Sequence, residues 1–528
     1  MVCQCDRGSF WRRVLYVLLQ SLLPLVNLYF LKLLVDAVTR QGADYRQAML
    51  YLLAMTTVFL LNRVVAALDR VNNDVLSQRL TDYMSDIMQH QAARLDLAYY
   101  DTPSYHDTLH RAQQEAGTRP IAILNNFMTV GGAVVSILGV TAILVTASWW
   151  VVPVMLLAVL PSFAVRLHKA RCIYRFRREN TQHYRRTAYY AHLLTSREAA
   201  AEMRVYRLAP LFRQRFVAVR QLLVKRLLSI SRRLGTADVF CAVIEAVAMF
   251  CVVGLLAARA IGGAVTVGSF VMFFEAFRRG QGYLTHLVAG IAGLYDNRLF
   301  VSNLFEFLRL TPTLQPKGDT VEVPENITSV EFRDVTFRYP GMQHDVLSHY
   351  NLAAKVGEIV RINGRNGYGK STLVKLLLRL YDPQQGVVLV NGIDIRRFRP
   401  EEWRRRTGVL FQDFVRYYCT LRENVTFGDT DCPDRSVDKA LALAGADTFA
   451  DRLPDGLDSQ LGRLFDGGAE LSMGQWQRLA LARALQADAP LLLLDEPMAW
   501  LDTDTRQHLL DTLEQMKGNK IIILITHT

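Results

Sequence analysis

The chain has 528 residues, 51% of them hydrophobic, with 61 Lys and Arg against 49 Asp and Glu and a formal net charge of +12. The length leaves room for several domains, and the apolar fraction is high for a soluble protein and unevenly spread. Seven scattered cysteines, an odd number, exclude a paired-cysteine metal centre, because the lone Cys3-Gln4-Cys5 has no second pair nearby.

The first apolar run is followed by no small-residue cleavage site, so no removable signal peptide is expected. Six segments are long and apolar enough to cross a bilayer core of about 30 Å; they lie near 14–37, 48–68, 121–147, 149–168, 238–261 and 266–290. The tryptophans of "SWWV", between the third and fourth, suit a membrane interface. Two long connections remain, 69–120 and 169–237. The second is dense in arginine, from Arg171 and Arg175 to Arg213 and Arg215, whereas the short loops on the other side carry few basic residues. By the positive-inside rule the long loops and both termini face the cytosol. The first long loop is not net basic, so the second carries most of that argument.

Both long loops read as helices. "NNDVLSQRLTDYMSDIMQHQAARL" and "HYRRTAYYAHLLTSREAAAEMRVY" repeat apolar residues at helical spacing, with breaks at "YYDTPSY" and near Pro210. An arginine-rich helical loop alone is compatible with nucleic acid; beside six membrane segments that reading is set aside. Glu245 in the fifth segment, and Glu275, Arg278, Arg279, Gln281 and His286 in the sixth, are costly in a membrane unless they face a cavity or a partner. They either pair locally, Glu275 with Arg278 or Arg279, or line a wet cavity that contacts a polar part of a substrate.

After Leu310 the composition changes. "TPTLQPKGDTVEVPEN", 311–326, reads as a polar linker, and short β-like runs then alternate with helical ones, as in an α/β nucleotide-binding domain. "GRNGYGKST", Gly364 to Thr372, matches G-x-x-x-x-G-K-[ST] residue for residue. It follows the strand-like "EIVRIN" and precedes the amphipathic "KSTLVKLLLRL", the strand–turn–helix context the motif needs. Backbone N–H groups of Gly367, Tyr368, Gly369 and Lys370 are expected to wrap phosphates at a helix N-terminus. Lys370 is expected to reach the β- and γ-phosphates and Ser371 to ligate Mg²⁺. Further on, "LLLLDEP" is an apolar strand ending in Asp495 and Glu496. That places one carboxylate to hold Mg²⁺ through water and the next to orient or deprotonate an attacking water.

From about residue 14 to the end the chain resembles an ATP-binding cassette (ABC) exporter half-transporter, one membrane domain fused to one ATPase domain. The motifs stand in the family's order: "FRYPG", "VLFQDFVRYY", "LSMGQWQRLALARAL", "LLLLDEP", "AWLD" and "IIILITHT". The resemblance implies adenine stacking on Tyr339, phosphate contacts from Gly364, Asn366, Gly367, Tyr368, Gly369, Lys370, Ser371 and Thr372, and a Q-loop role near Mg²⁺ for Gln412. It implies a signature formed by Ser472, Gly474 and Gln475, a D-loop role for Asp502, and a γ-phosphate sensor in His527. The expected fold is a six-helix α-helical transmembrane domain over 1–310, the linker, and an α/β P-loop NTPase domain over 327–528. The resemblance further implies a dimer with a second half-transporter, sandwiching two ATP molecules between P-loops and signatures. "YYDTPSYHDTLHRA" and "LTSREAAAEMRVY" fall where the family has coupling helices.

The expected activity is Mg²⁺-dependent ATP hydrolysis driving export of a lipid, peptide or amphipathic small molecule across a bacterial inner membrane. Partners are membrane lipids and an unnamed substrate, not nucleic acid. A siderophore-type importer with the exporter fold and a regulatory half with weak turnover are the alternatives; a soluble ABC ATPase acting on DNA or ribosomes is disfavoured by the membrane segments. Two departures from the family pattern matter. Met473 stands where glycine is usual: its side chain is expected to obstruct the close approach to the partner's γ-phosphate that glycine permits, and a backbone there at positive φ would add strain, which together favour a heterodimer. "AWLD" replaces a D-loop that normally begins with serine. The chain also stops at Thr528, where the family continues for roughly forty residues, so the ATPase domain is expected to lack its C-terminal end; no cysteine-peptidase domain is expected before the first membrane helix.

Overall fold

A computed structural model describes residues 5–40, 45–102, 118–147, 151–262, 264–364, 369–430 and 437–526. They fall into two compact units. One takes the described residues up to Ala92 and from 118 to Arg309; the other takes Ala93 to Thr102 and the described residues from Leu310 onward.

The first unit is helical. Each expected membrane segment overlaps a long helix over its described residues: α1 Arg7–Thr39, α2 Tyr45–Arg94, α4 Arg119–Ala147, α5 Val151–Glu179, α8 Ala209–Ile261 and α9 Val267–Asp296. Among the described residues, α1, α2, α4 and α8 are long and apolar enough to cross a membrane. The first loop stretch continues a membrane helix, since α2 runs for 50 residues without a break, and α8 reaches 53 residues from Ala209, whereas 183–205 of the second loop falls on two separate shorter helices. Pro210 sits in the first turn of α8, where its missing N–H costs nothing. Between α5 and α8 lie α6 Thr181–Thr195 and α7 Arg197–Val205; α10 Arg298–Leu308 closes the unit. The core around Leu28, Val140, Val252, Phe273 and Phe277 joins α1, α4, α8 and α9.

Glu275 takes the local-pairing alternative. It accepts from Arg278 at 2.6 and 2.8 Å and from Arg279 at 3.0 Å, as i, i+3 and i, i+4 neighbours on one helix face. Glu245 accepts a hydrogen bond from Ser162, so its carboxylate is also engaged within the helices.

The second unit holds two sheets. An antiparallel one has the order β2-β1-β4-β5, from β1 Ser329–Phe337, β2 Leu347–Lys355, β4 Gln385–Val390 and β5 Ile393–Asp394. The other has the order β3-β8-β7-β6, from β3 Ile359–Asn363, β6 Thr407–Leu410, β7 Leu491–Asp495 and β8 Ile521–Thr526, and its neighbours are parallel. All five residues of β7 are buried, as expected of a parallel strand covered on both faces. Helix α11, Lys370–Leu377, follows β3, α16 is Met473–Gln486, and α17 is Thr503–Met516.

The polar stretch 311–326 is fastened to the second unit. Lys317 and Val321 donate backbone N–H groups to the carbonyls of Arg396 and Arg397 at 2.8 and 3.1 Å, and buried Arg379 donates to Gln315 O at 2.7 Å. The short helix α3, Leu97–Tyr100, packs here too. Asp96 accepts from the Thr313 hydroxyl and the Leu314 N–H at 2.8 and 3.1 Å, Tyr99 donates to Thr311 O at 3.0 Å, and Tyr381 donates to Asp101. The remainder of "YYDTPSYHDTLHRA", 103–117, lies outside the described residues.

Candidate nucleotide-binding site

The site gathers at the C-terminal ends of the parallel strands, where an α/β sheet ordinarily binds ligands. β3 ends at Asn363 and leads into Gly364; α11 starts six residues later at Lys370. Asn366, Gly367 and Tyr368 lie outside the described residues. Gly369 caps α11 with φ +79°, and a Cβ there would come within 2.7 Å of Leu347 Cδ2 and 3.1 Å of Val346 O. Glycine is required at this position by conformation and by space alike. Lys370 is buried, its Nζ donating to Gly364 O at 2.6 Å and Thr526 O at 3.3 Å. The ammonium is thereby held between the ends of β3 and β8, beside the loop that it is expected to serve. Ser371 and Thr372 follow in the first turn of α11, and Thr372 shares a 3.0 Å hydrogen bond with the Tyr339 hydroxyl. The Tyr339 ring meets Phe337 and Tyr381 edge-on, with Lys375 Nζ 5.2 Å from its centroid. A cation over one ring face and two edge contacts fix the ring as a platform.

Asp495 is the last residue of β7 and is buried. Glu496 extends the ladder by one bond, its N–H donating to Ile525 O at 3.0 Å, and then turns with φ +53°. A non-glycine residue in this region stores about 1–3 kcal/mol. The surroundings hold it there: the Glu496 carbonyl accepts from Gln477 Nε2 at 2.9 Å. Its carboxylate Oε1 accepts from Gln412 Nε2, also at 2.9 Å. Gln412 stands two residues past the end of β6, so adjacent strands β6 and β7 deliver the two side chains to one place.

Ser472 and Gln475 form a capping box on α16, with Ser472 Oγ accepting from Gln475 N at 3.3 Å and Gln475 Oε1 from Ser472 N at 2.8 Å. Among the described residues the Ser472 hydroxyl proton has no acceptor, so it can serve a ligand beyond the helix end. Met473 is the first residue of α16, and its φ is not positive. The strain anticipated at 473 is therefore absent, because the first helical position takes ordinary right-handed dihedrals. The close approach falls on Gly474, where a Cβ would lie 2.6 Å from Trp500 O. Trp500 N donates in turn to Gln477 Oε1 at 2.9 Å, which docks "AWLD" on the signature helix. Asp502 caps α17, accepting from Thr505 N at 2.8 Å, and that bond lowers its carboxyl pKa. His527 lies outside the described residues, one position past the end of β8.

The donors fit a nucleotide with a hard divalent cation. A serine hydroxyl at a helix N-terminus and a strand-end aspartate are the oxygen ligands Mg²⁺ prefers, and Lys370 with the α11 N-terminus suits polyphosphate. Sequence reasoning missed Gln477. Its signal was a polar residue between Trp476 and Arg478 on a helix whose neighbouring positions, Trp476, Leu479 and Ala480, are buried.

Comparison with known proteins agrees with this geometry. A profile for the ABC transporter transmembrane region matches residues 14–279, and one for the ABC transporter matches 347–499. The chain is 26% identical over 533 residues to the subtilin transport ATP-binding protein SpaT of Bacillus subtilis, covering 100% of this chain and 86% of that protein. It is 26% identical over 519 residues to the nisin transport ATP-binding protein NisT of Lactococcus lactis, covering 96% and 85%. An ATP-dependent lipid A-core flippase of Desulfotalea psychrophila is 32% identical over 286 residues, 54% of this chain and 49% of that protein. A bacterial Atm1-family ABC exporter solved with ATP bound shares the fold, with a TM-score of 0.79 at 24% identity over 99% of this chain and 92% of that one. The chain belongs to the ABC transporter family, a helical membrane domain and an ATP-binding transport ATPase domain carried on one polypeptide.

Proposed function

We propose that the chain is an exporter half-transporter that moves an amphipathic peptide out of a bacterial cytoplasm, working as a dimer of two such chains. Residues 1–310 are its membrane domain, 311–326 the linker and 327–528 the nucleotide-binding domain. The observation that carries the substrate class is the near-complete coverage by the subtilin and nisin transport proteins. The lipid reading has one observation in its favour, the higher identity to lipid A-core flippases over about half of the chain. The basic second loop favours an inner-membrane orientation with both termini cytosolic.

Each ATP is bound by Tyr339, the P-loop from Gly364 to Thr372, and Lys370, with Ser371, Gln412 and Asp495 around Mg²⁺. The cation shields phosphate charge and helps align the reacting groups. Glu496, held by Gln412, orients the attacking water and draws off its proton. Ser472 and Gly474 of the partner close the site, and His527 contacts the γ-phosphate. Every position that one site requires is present in this chain, which favours a homodimer; the ordinary backbone at Met473 removes the strain argument for a heterodimer, while obstruction by its side chain is left to the Met473→Gly test.

The test is the purified full chain in proteoliposomes, with ATP outside and a panel of cationic amphipathic peptides and lipids. ATP-dependent accumulation of a peptide inside such vesicles, on the side away from the nucleotide sites, supports the reading. Movement only of lipid would replace the peptide by a lipid, and ATP-driven movement toward the ATP side would make the protein an importer.

A further inference from the structure

Gln477 lies near the start of α16, five residues after Ser472, and is only 3% exposed. A buried primary amide must satisfy both of its ends. Here each end reaches a different catalytic segment: Nε2 donates to Glu496 O at 2.9 Å and Oε1 accepts from Trp500 N at 2.9 Å. Glu496 sits at φ +53°, so its backbone needs fixed partners on both sides of the turn. Ile525 O takes its N–H; Gln477 takes its C=O. The Trp500 carbonyl in turn lies where a Cβ on Gly474 would meet it at 2.6 Å. One side chain therefore joins the strained carboxylate residue, the "AWLD" turn and the signature helix.

We propose that Gln477 is a positioning residue for ATP hydrolysis, transmitting the seating of the signature helix to the carboxylate of Glu496. The inference rests on the assignment of Glu496 as the residue that handles the attacking water, and it goes beyond that assignment. Gln477 is buried and its amide is engaged by the backbone of Glu496 and Trp500, so it acts through Glu496. In the dimer the N-terminus of α16 meets the partner's nucleotide, and Gln477 ties that end to this chain's own Glu496. Closure over one nucleotide then sets the carboxylate that acts on the other. Gln412 holds the Glu496 side chain from β6 and Gln477 holds its backbone from α16, so the carboxylate is fixed from two independent elements.

The chemistry gives a diagnostic pair of substitutions. Gln477→Met keeps volume and makes neither hydrogen bond. Gln477→Glu keeps the acceptor for Trp500 N, but its ionised form cannot donate to Glu496 O and sets two oxygens against each other. Burial raises a carboxyl pKa, and protonation restores the donor. A residue that merely fills space gives no such pH signature.

The experiment measures kcat and KM for ATP in the purified full-length protein for wild type, Gln477→Met, Gln477→Glu and Glu496→Gln, between about pH 6 and about pH 8, a window around a raised carboxyl pKa. Binding of the fluorescent analogue TNP-ATP counts folded sites. The proposal expects kcat per folded site to fall about 10- to 100-fold in both Gln477 variants, as for a misplaced reacting group, with KM changed by less than about twofold. It also expects kcat of Gln477→Glu, relative to wild type, to rise as pH falls, while that of Gln477→Met stays flat. If Gln477→Met does not fold, the pH trend of Gln477→Glu decides alone. A flat Gln477→Glu ratio, or near-wild-type kcat in the folded variants, overturns the proposal. Wild-type kcat in Glu496→Gln would instead overturn the assignment on which it rests.

Discussion

The α carbon of Gly474 sits so close to Trp500 that an added Cβ would stand 2.6 Å from the Trp500 carbonyl oxygen. This contact requires glycine at 474, where the first turn of α16 approaches the "AWLD" turn, whereas Met473 one position earlier has an ordinary helical backbone. Backbone atoms cannot yield as a flexible side chain would, so Gly474→Ala is expected to cost about 1–3 kcal/mol in local overpacking. Its ATPase rate should drop while nucleotide binding at the P-loop survives, as read by steady-state kinetics beside TNP-ATP titration. An unimpaired Gly474→Ala rate would contradict the contact.

Met473→Gly is expected not to raise ATP turnover. Met473 begins α16 in ordinary helical geometry, and glycine there relieves no strain. It lowers helix stability by up to about 1 kcal/mol, so thermal unfolding of the variant should shift slightly downward. A clear acceleration would show that the methionine side chain obstructs the partner's nucleotide.

Lys370→Ala is expected to weaken ATP binding about 10- to 100-fold, the range for losing a charge-assisted hydrogen bond of about 1.5–3 kcal/mol. Lys370 is buried between Gly364 O and Thr526 O, so no other described lysine or arginine is expected to take its place. Titration with ATP in EDTA separates this loss from any change in cation binding.

The polar face of α9 makes a labelling prediction. Arg278 has a side chain 57% exposed, whereas Ala276 is fully buried two residues earlier. In a cysteine-free background, Arg278→Cys and His286→Cys are expected to react with a water-soluble thiol reagent, and Ala276→Cys is not. Absence of labelling at both positions in every nucleotide state would rule out a wet cavity along this face.

Much of the nucleotide-binding unit was legible because its signals are local. "EIVRIN" forms β3 from Ile359 and "KSTLVKLL" forms α11, since strand, turn and helix propensities agree over a few residues. The helical character of both long loops was legible too, from apolar residues recurring at helical spacing. Along the 50 residues of α2 a bilayer-length apolar stretch gives way to an amphipathic one, and no capping residue marks the change. Contacts between distant segments were not legible. Gln412 and Glu496 are 84 residues apart, and Asp96 and Leu314 are 218 apart. Only the order of strands in the parallel sheet brings the first pair together, and nothing in the local pattern announces either. The strain expected at Met473 is absent for a related reason: a motif shows which residue departs from the pattern, but the backbone decides which position takes a positive φ.

The most direct test of the account is the ATPase rate of Glu496→Gln in the purified, reconstituted protein. The Gln412–Glu496 hydrogen bond and the left-handed backbone at Glu496 put this carboxylate at the centre of the site. Glutamine keeps the shape and removes the base, so the account predicts a rate at least about 100-fold below wild type, the scale of general-base catalysis, with ATP binding intact and the dimer held in its ATP-bound form. Equal ATPase rates for wild type and Glu496→Gln would contradict it.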